Sequence, residues 1–112
     1  MKIAVSSTGK DLDSDVSSMF GRCPYFIIAE IEDEKIKAFE AVENTSADQA
    51  GGAGISAAKI VAEKDVNAVI SESVGPRALD VFRQFNIEVY SGNGSVNDTL
   101  QEFIGGRLKK IQ

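Results

Sequence analysis

Five short apolar runs, three of them consecutive and the last three spaced by helical segments, constrain this chain more than any other feature. Ile3-Ala4-Val5 is a continuous apolar run, as expected of a strand covered on both faces. Tyr25 to Ile31 reads as a second strand, Asp33-Glu34 as a tight turn, and Lys35 to Val42 as a third strand with Ile36, Ala38 and Val42 on one face. Val66 to Ser71 and Ile87 to Tyr90 complete the set. Between and after these runs the period changes to that of a helix. Gly54, Ala57, Ala58, Val61 and Ala62 share one helical face made almost wholly of small residues, so this helix can lie close to whatever it covers. Pro76 suits the first position of a second helix, for which Leu79, Phe82 and Phe85 are the expected buried stripe. Ser95 is the expected N-cap of a third, with Asp98 three residues on, Val96, Leu100, Phe103 and Ile104 facing inward, and Gly105-Gly106 ending it. The order βββαβαβα predicts a three-layer α/β domain, a mixed five-stranded sheet covered by helices.

The connections decide which end of the sheet each loop occupies. If strand 2 runs against strands 1 and 3, the loops at residues 6–24, 43–54, 71–76 and 91–95 gather at one end. Eight of the ten glycines fall in those loops, whereas the opposite end has only short charged turns. Ligands of open α/β sheets sit at the carboxyl ends of the strands, so the glycine-rich end is the expected site.

Length and charge limit the alternatives. A chain of 112 residues supports one domain with a single core. The net charge of −5 argues against a nucleic-acid partner, whose footprint should be basic. Arg107, Lys109 and Lys110 form a short basic tail at 107–112, which leaves about −8 on residues 1–106. No apolar run approaches the ~20 residues of a membrane span, and the N-terminus enters a strand pattern without a signal-peptide core, so a cytoplasmic protein is expected. One cysteine precludes an internal disulfide, and the lack of histidine removes the commonest metal ligand and general base.

Individual motifs vary in weight. Ser6-Ser7-Thr8-Gly9-Lys10 resembles the phosphate loop of flavodoxins, with Ser6 a candidate anion contact, but no amphipathic helix follows it. Asp11, Asp13 and Asp15 open like a calcium loop, yet Val16 and Arg22 stand where glycine and glutamate are required. The bend Ala50-Gly51-Gly52-Ala53-Gly54 brings backbone N–H groups to the start of a helix, a place suited to an anion. Gly75-Pro76-Arg77 is a second such junction, with a cation opposing the helix dipole unless an anion offsets it. In Phe20-Gly21-Arg22-Cys23-Pro24, Pro24 restricts Cys23 to extended geometry and Arg22 adds a permanent cation. Cys23 beside an arginine is expected either as a stabilised thiolate, a soft metal ligand, or as a small buried hydrophobe.

Met1-Lys2-Ile3-Ala4-Val5, Phe20-Gly21-Arg22-Cys23-Pro24-Tyr25-Phe26, Gly51-Gly52-Ala53-Gly54 and Val74-Gly75-Pro76-Arg77-Ala78 together resemble the dinitrogenase iron–molybdenum cofactor biosynthesis family. The resemblance spans nearly the whole chain, as a single nitrogenase accessory factor-like domain at 1–106. It implies a ribonuclease H-like fold and an accessory role in carrying metal–sulfur cluster precursors, with an iron–sulfur or iron–molybdenum type cluster as cargo and a cluster donor or acceptor protein as partner. The candidate contacts at the glycine-rich end are Ser6, Gly21, Arg22, Gly51, Gly52, Gly54, Gly75 and Arg77, with either Cys23 as metal ligand or no covalent ligand. Family members often carry histidine immediately before Phe-Gly; this chain has Met19.

Two readings follow. One is a carrier of an anionic metal–sulfur cluster or cofactor precursor; the other is a regulatory or interaction domain that binds a simple anion or a protein, without catalysis. A ribonuclease H-like hydrolase would need inward carboxylates at strand ends, and strand 1 offers Ile3, Ala4 and Val5. A non-enzymatic role is therefore expected.

Overall fold

Alternation along β1 (Lys2–Ser7) sends Ala4 to one face of the sheet and Ile3 and Val5 to the other, and all three are completely buried. In the computed structural model, which describes residues 1–112, β1 lies near the middle of a six-stranded mixed sheet of order β3-β2-β1-β4-β5-β6. It pairs antiparallel with β2 (Tyr25–Glu32) and parallel with β4 (Ala68–Ser71). Outside these lie β3 (Lys35–Glu43), antiparallel to β2, and β5 (Glu88–Ser91), parallel to β4. Strand 2 is thus antiparallel to both of its neighbours, as the connections require. No helix is long and apolar enough to cross a membrane.

The two faces are covered differently. α1 (Ala53–Ala62) and α2 (Pro76–Gln84) pack with Ala4, Phe26, Ile28, Val69 and Val89. α3 (Val96–Ile104) packs with Ile3, Val5, Ile27, Ala29 and Ile70 on the other face. The chain crosses from β3 to β4 and from β4 to β5 in the same direction along the sheet. Right-handed crossovers must therefore put both connecting helices on one side. Their N-termini then open at the carboxyl ends of the parallel strands, next to each other.

Three sequence expectations are corrected. The sheet has six strands, not five, because Lys109–Lys110 form β6 against the free edge of β5. The tail is held further by the Lys110–Glu88 ion pair at 2.9 Å and by the Ile111 amide, which donates to the Val89 carbonyl at 2.7 Å. Two lysines carry no apolar alternation, so this strand has no signature of its own. The second correction concerns β3. Ile31 pairs with Ile36 but Glu30 pairs with Ala38, so Lys37 is an extra residue, a β-bulge. The bulge reverses the pleat: Ile36 packs on the α3 side and Val42 on the α1/α2 side, rather than both on one face. Third, α2 buries Ala78, Val81 and Phe82, with Leu79 partly buried, while Phe85 at the helix end is 57% exposed.

Phe82→Ala should accordingly cost about 3–5 kcal/mol of unfolding free energy, whereas Phe85→Ala should stay within about 0.5 kcal/mol of the unaltered chain. Urea denaturation of the two variants checks this, and equal losses would contradict the observed burial.

Candidate functional site: a cationic crevice between two helix N-termini

The site is assembled around a single 3-10 turn, Phe20–Arg22. Its anchor is the Phe20 ring, which lies 5.2 Å from Phe26 and 5.2 Å from Phe82, the latter contact edge-on. The Phe20 amide donates to the Ser73 carbonyl at 3.1 Å, and the Ser73 hydroxyl donates to the Ser18 carbonyl at 2.7 Å. These bonds tie the turn to the β4–α2 loop. Gly21 then meets α1 backbone to backbone. A Cβ on Gly21 would lie 3.0 Å from both the Cα and the N of Gly54, with no flexible side chain between them to yield. Any larger residue would require the α1 backbone to give by a few tenths of an ångström, so the approach favours glycine.

The 44–52 loop closes the third side. The buried Asn44 side chain donates to the carbonyls of Gly21 at 3.2 Å and Cys23 at 2.8 Å. Arg22 Nη1 returns two hydrogen bonds, to the carbonyls of Ala47 at 2.9 Å and Gln49 at 2.7 Å. The loop enters α1 through Gly52, whose φ of 70° is the left-handed conformation that favours glycine.

Between these elements lies a crevice of about 320 Å³. Gly21, Arg22, Gly52, Gly54, Gly75 and Arg77 all line it, so six of the expected contacts come together, joined by Met19, Phe20, Ala53, Ile55, Ser73, Pro76 and Ala78. No carboxylate lines it, on a chain of net charge −5. Gly52 and Gly75 are the N-caps of α1 and α2, and neither offers a side chain to the first turn. The amides of Ala53, Gly54, Ile55, Arg77 and Ala78 consequently have no hydrogen-bond partner within the protein. α3 is built in the opposite way: the Ser95 hydroxyl accepts from the Asp98 amide at 3.0 Å, and an acidic residue sits in the first turn. Arg77 makes no ion pair or hydrogen bond, and Nε and Nη2 of Arg22 are equally unengaged. Two positive helix ends therefore open on one small space, with Arg22 and Arg77 among its lining residues.

Three expected contacts lie elsewhere. Ser6 is completely buried, its hydroxyl donating to Ser71 Oγ at 2.8 Å, so it braces the ends of β1 and β4. Gly51 is exposed outside the crevice, its carbonyl accepting from Gln49 Nε2 at 2.6 Å. Cys23 is extended as Pro24 requires (φ −67°, ψ 146°), and that geometry turns its side chain into the core. It has no exposed surface, its thiol donates to the Phe20 carbonyl at 3.1 Å, and burial pushes its pKa up from 9.0 to about 12. The stabilised thiolate expected from the neighbouring arginine is not formed; the small buried hydrophobe is. Asn44 was not among the expected contacts, although its position just after a strand and before a glycine bend was the available signal; Met19, where family members often carry histidine, lies at the mouth and is 57% exposed. No group of three or more acidic, cysteine or histidine side chains is placed to hold a metal ion.

Residues 1–106 match the profile of the family described as dinitrogenase iron-molybdenum cofactor. The chain belongs to that family. An uncharacterised protein of Methanocaldococcus jannaschii is 36% identical to this family member over all of this chain and 97% of its own length. The apo form of the orange protein from Desulfovibrio gigas superimposes with a TM-score of 0.88 at 29% identity, covering 97% of this chain and 91% of that one. A candidate NifB protein from Thermotoga gives a TM-score of 0.83 at 35% identity, covering 98% of this chain and 92% of that one.

In this family member the Cys23 thiol makes a testable contribution to stability. The folded chain keeps the thiol proton to about pH 12, whereas an unfolded chain releases it near pH 9.0. The contribution is complete below pH 9.0 and is lost as pH rises toward about 12. Relative to Cys23→Ser, the unaltered chain should lose stability over that window, and thiolate ultraviolet absorbance should appear only on unfolding. Thiolate absorbance from folded protein near neutral pH would contradict the buried geometry.

Proposed function

We propose that the chain is a small carrier for an anionic metal–sulfur cluster or iron–molybdenum cofactor precursor. The supporting observation is the crevice itself, with two arginines, two uncapped helix N-termini and no carboxylate around one space. Family membership and the likeness to the orange protein point the same way. With Cys23 sealed in the core, the cargo would arrive with its sulfide ligands complete and be held without a protein–metal bond. Backbone N–H groups at close approach would meet the sulfides, and Arg22 and Arg77 would balance the charge. Cluster transfer would then need no ligand exchange at the protein, which suits a carrier.

Tetrathiomolybdate, a compact sulfide-liganded anion, is the appropriate probe under anaerobic conditions. The unaltered chain should bind it with an affinity that falls as salt is raised. Arg77→Glu should weaken binding by about 10- to 100-fold without changing the fold, because Arg77 has no structural partner. Spectroscopic titration measures both. Equal affinity for molybdate or sulfate would favour the simple-anion reading instead, and no binding of any of them would reject both.

A further inference from the structure

Arg22 spends one nitrogen on the protein and leaves two free. Both carbonyls it binds, Ala47 and Gln49, accept from Nη1. Nε and Nη2 therefore form a free, planar donor edge on a residue that lines the crevice. The orientation of that edge depends on the loop, and beyond Ser46, which is buried and donates to Asn44 Oδ1 from its amide and its hydroxyl, the loop has little else to hold it. Residues 48–52 are all exposed, and the amides of Ala47 and Gln49 donate only within the loop, to Asn44 and Ser46 carbonyls at 3.2 and 3.1 Å. Asn44 is the fixed end, buried and bonded to both carbonyls flanking Arg22. Loop and turn thus grip each other twice, once through Asn44 and once through Arg22.

We infer that Arg22 is a positioning residue as well as an anion contact: the 44–51 loop sets its free edge, and an anion held on that edge orders the loop in return. The coupling must be reciprocal, since an anion that binds better to the clamped arrangement stabilises it by the same factor. A lysine cannot reproduce this. Its single ammonium keeps the charge but presents no second donor edge once it is bonded to two carbonyls. Arg77, which touches no loop carbonyl, supplies the internal control for charge without clamping. The inference rests on the proposed anion site for its ligand arm and on the hydrogen bonds alone for its loop arm.

The test uses the full chain and amide hydrogen exchange, with tetrathiomolybdate as the probe. Without ligand, Arg22→Lys should speed exchange at Ala47 and Gln49 by about 10-fold, while Arg77→Lys leaves both at the unaltered rate. Tetrathiomolybdate should slow exchange at these amides in the unaltered chain, and its affinity should fall at least about 10-fold in Arg22→Lys but less than about 3-fold in Arg77→Lys. Unchanged loop exchange in Arg22→Lys overturns the clamp even where anion binding is intact. Anion binding by the unaltered chain without added loop protection overturns the coupling. No binding by the unaltered chain rejects the carrier reading and the coupling together, and leaves the unliganded exchange rates to decide the clamp alone.

Discussion

The backbone of Gly21 touches the backbone of Gly54, and the crevice end of the fold is arranged around that contact. It sets the distance between the 3-10 turn and the first turn of α1, and so the width of the crevice. Phe20 fixes the turn from below through Phe26 and Phe82. The small face of α1 (Ala57, Ala58 and Val61, all fully buried) fixes the helix from the sheet side. With both partners immobilised by core packing, a methyl group at Gly21 would have to be accommodated by moving backbone. Interiors packed at crystal-like density resist such movement.

Magnitudes indicate how the work of anion recognition divides. A helix N-terminus contributes about 0.3–1 kcal/mol to a nearby negative charge at an exposed site. A hydrogen bond to a charged group contributes about 1.5–3 kcal/mol. Bonds from the unpaired amides of α1 and α2 to an anion would belong to that second class as much as bonds from the arginines, so both would contribute to affinity in the proposed site, and the amides would also dictate shape and fit. Salt sensitivity should be strong because both guanidinium groups are exposed. The rest of the chain carries a net negative charge, which would leave this crevice as a local electropositive feature for a polyanion to find.

Most of this arrangement was legible in the sequence, for a physical reason: strand order and crossover handedness determine which loops are neighbours. Arg22, Gly52 and Arg77 are thirty and twenty-five residues apart along the chain, yet their loops had to share one end of the sheet. What escaped detection was decided by single residues. Lys37 reverses the pleat of β3 without leaving a compositional trace, and β6 exists only because β5 offers an open edge to a passing tail. Cys23 was ambiguous because adjacency in sequence to Arg22 suggested shared surroundings. Extended backbone at Cys23 sends the thiol inward to Phe20 while Arg22 stays outside. The second half of the clamp, Asn44, required knowledge of which carbonyls it would reach.

In the proposed function an anion sits between the first turns of α1 and α2. An amide-resolved NMR titration with tetrathiomolybdate addresses it most directly, because the chain carries its own control in the side-chain-capped N-terminus of α3. The largest shifts are expected at the Gly54, Ile55, Arg77 and Ala78 amides, with little change at Asn97 and Asp98. Shifts as large at the start of α3, or a response centred on Cys23, would contradict it.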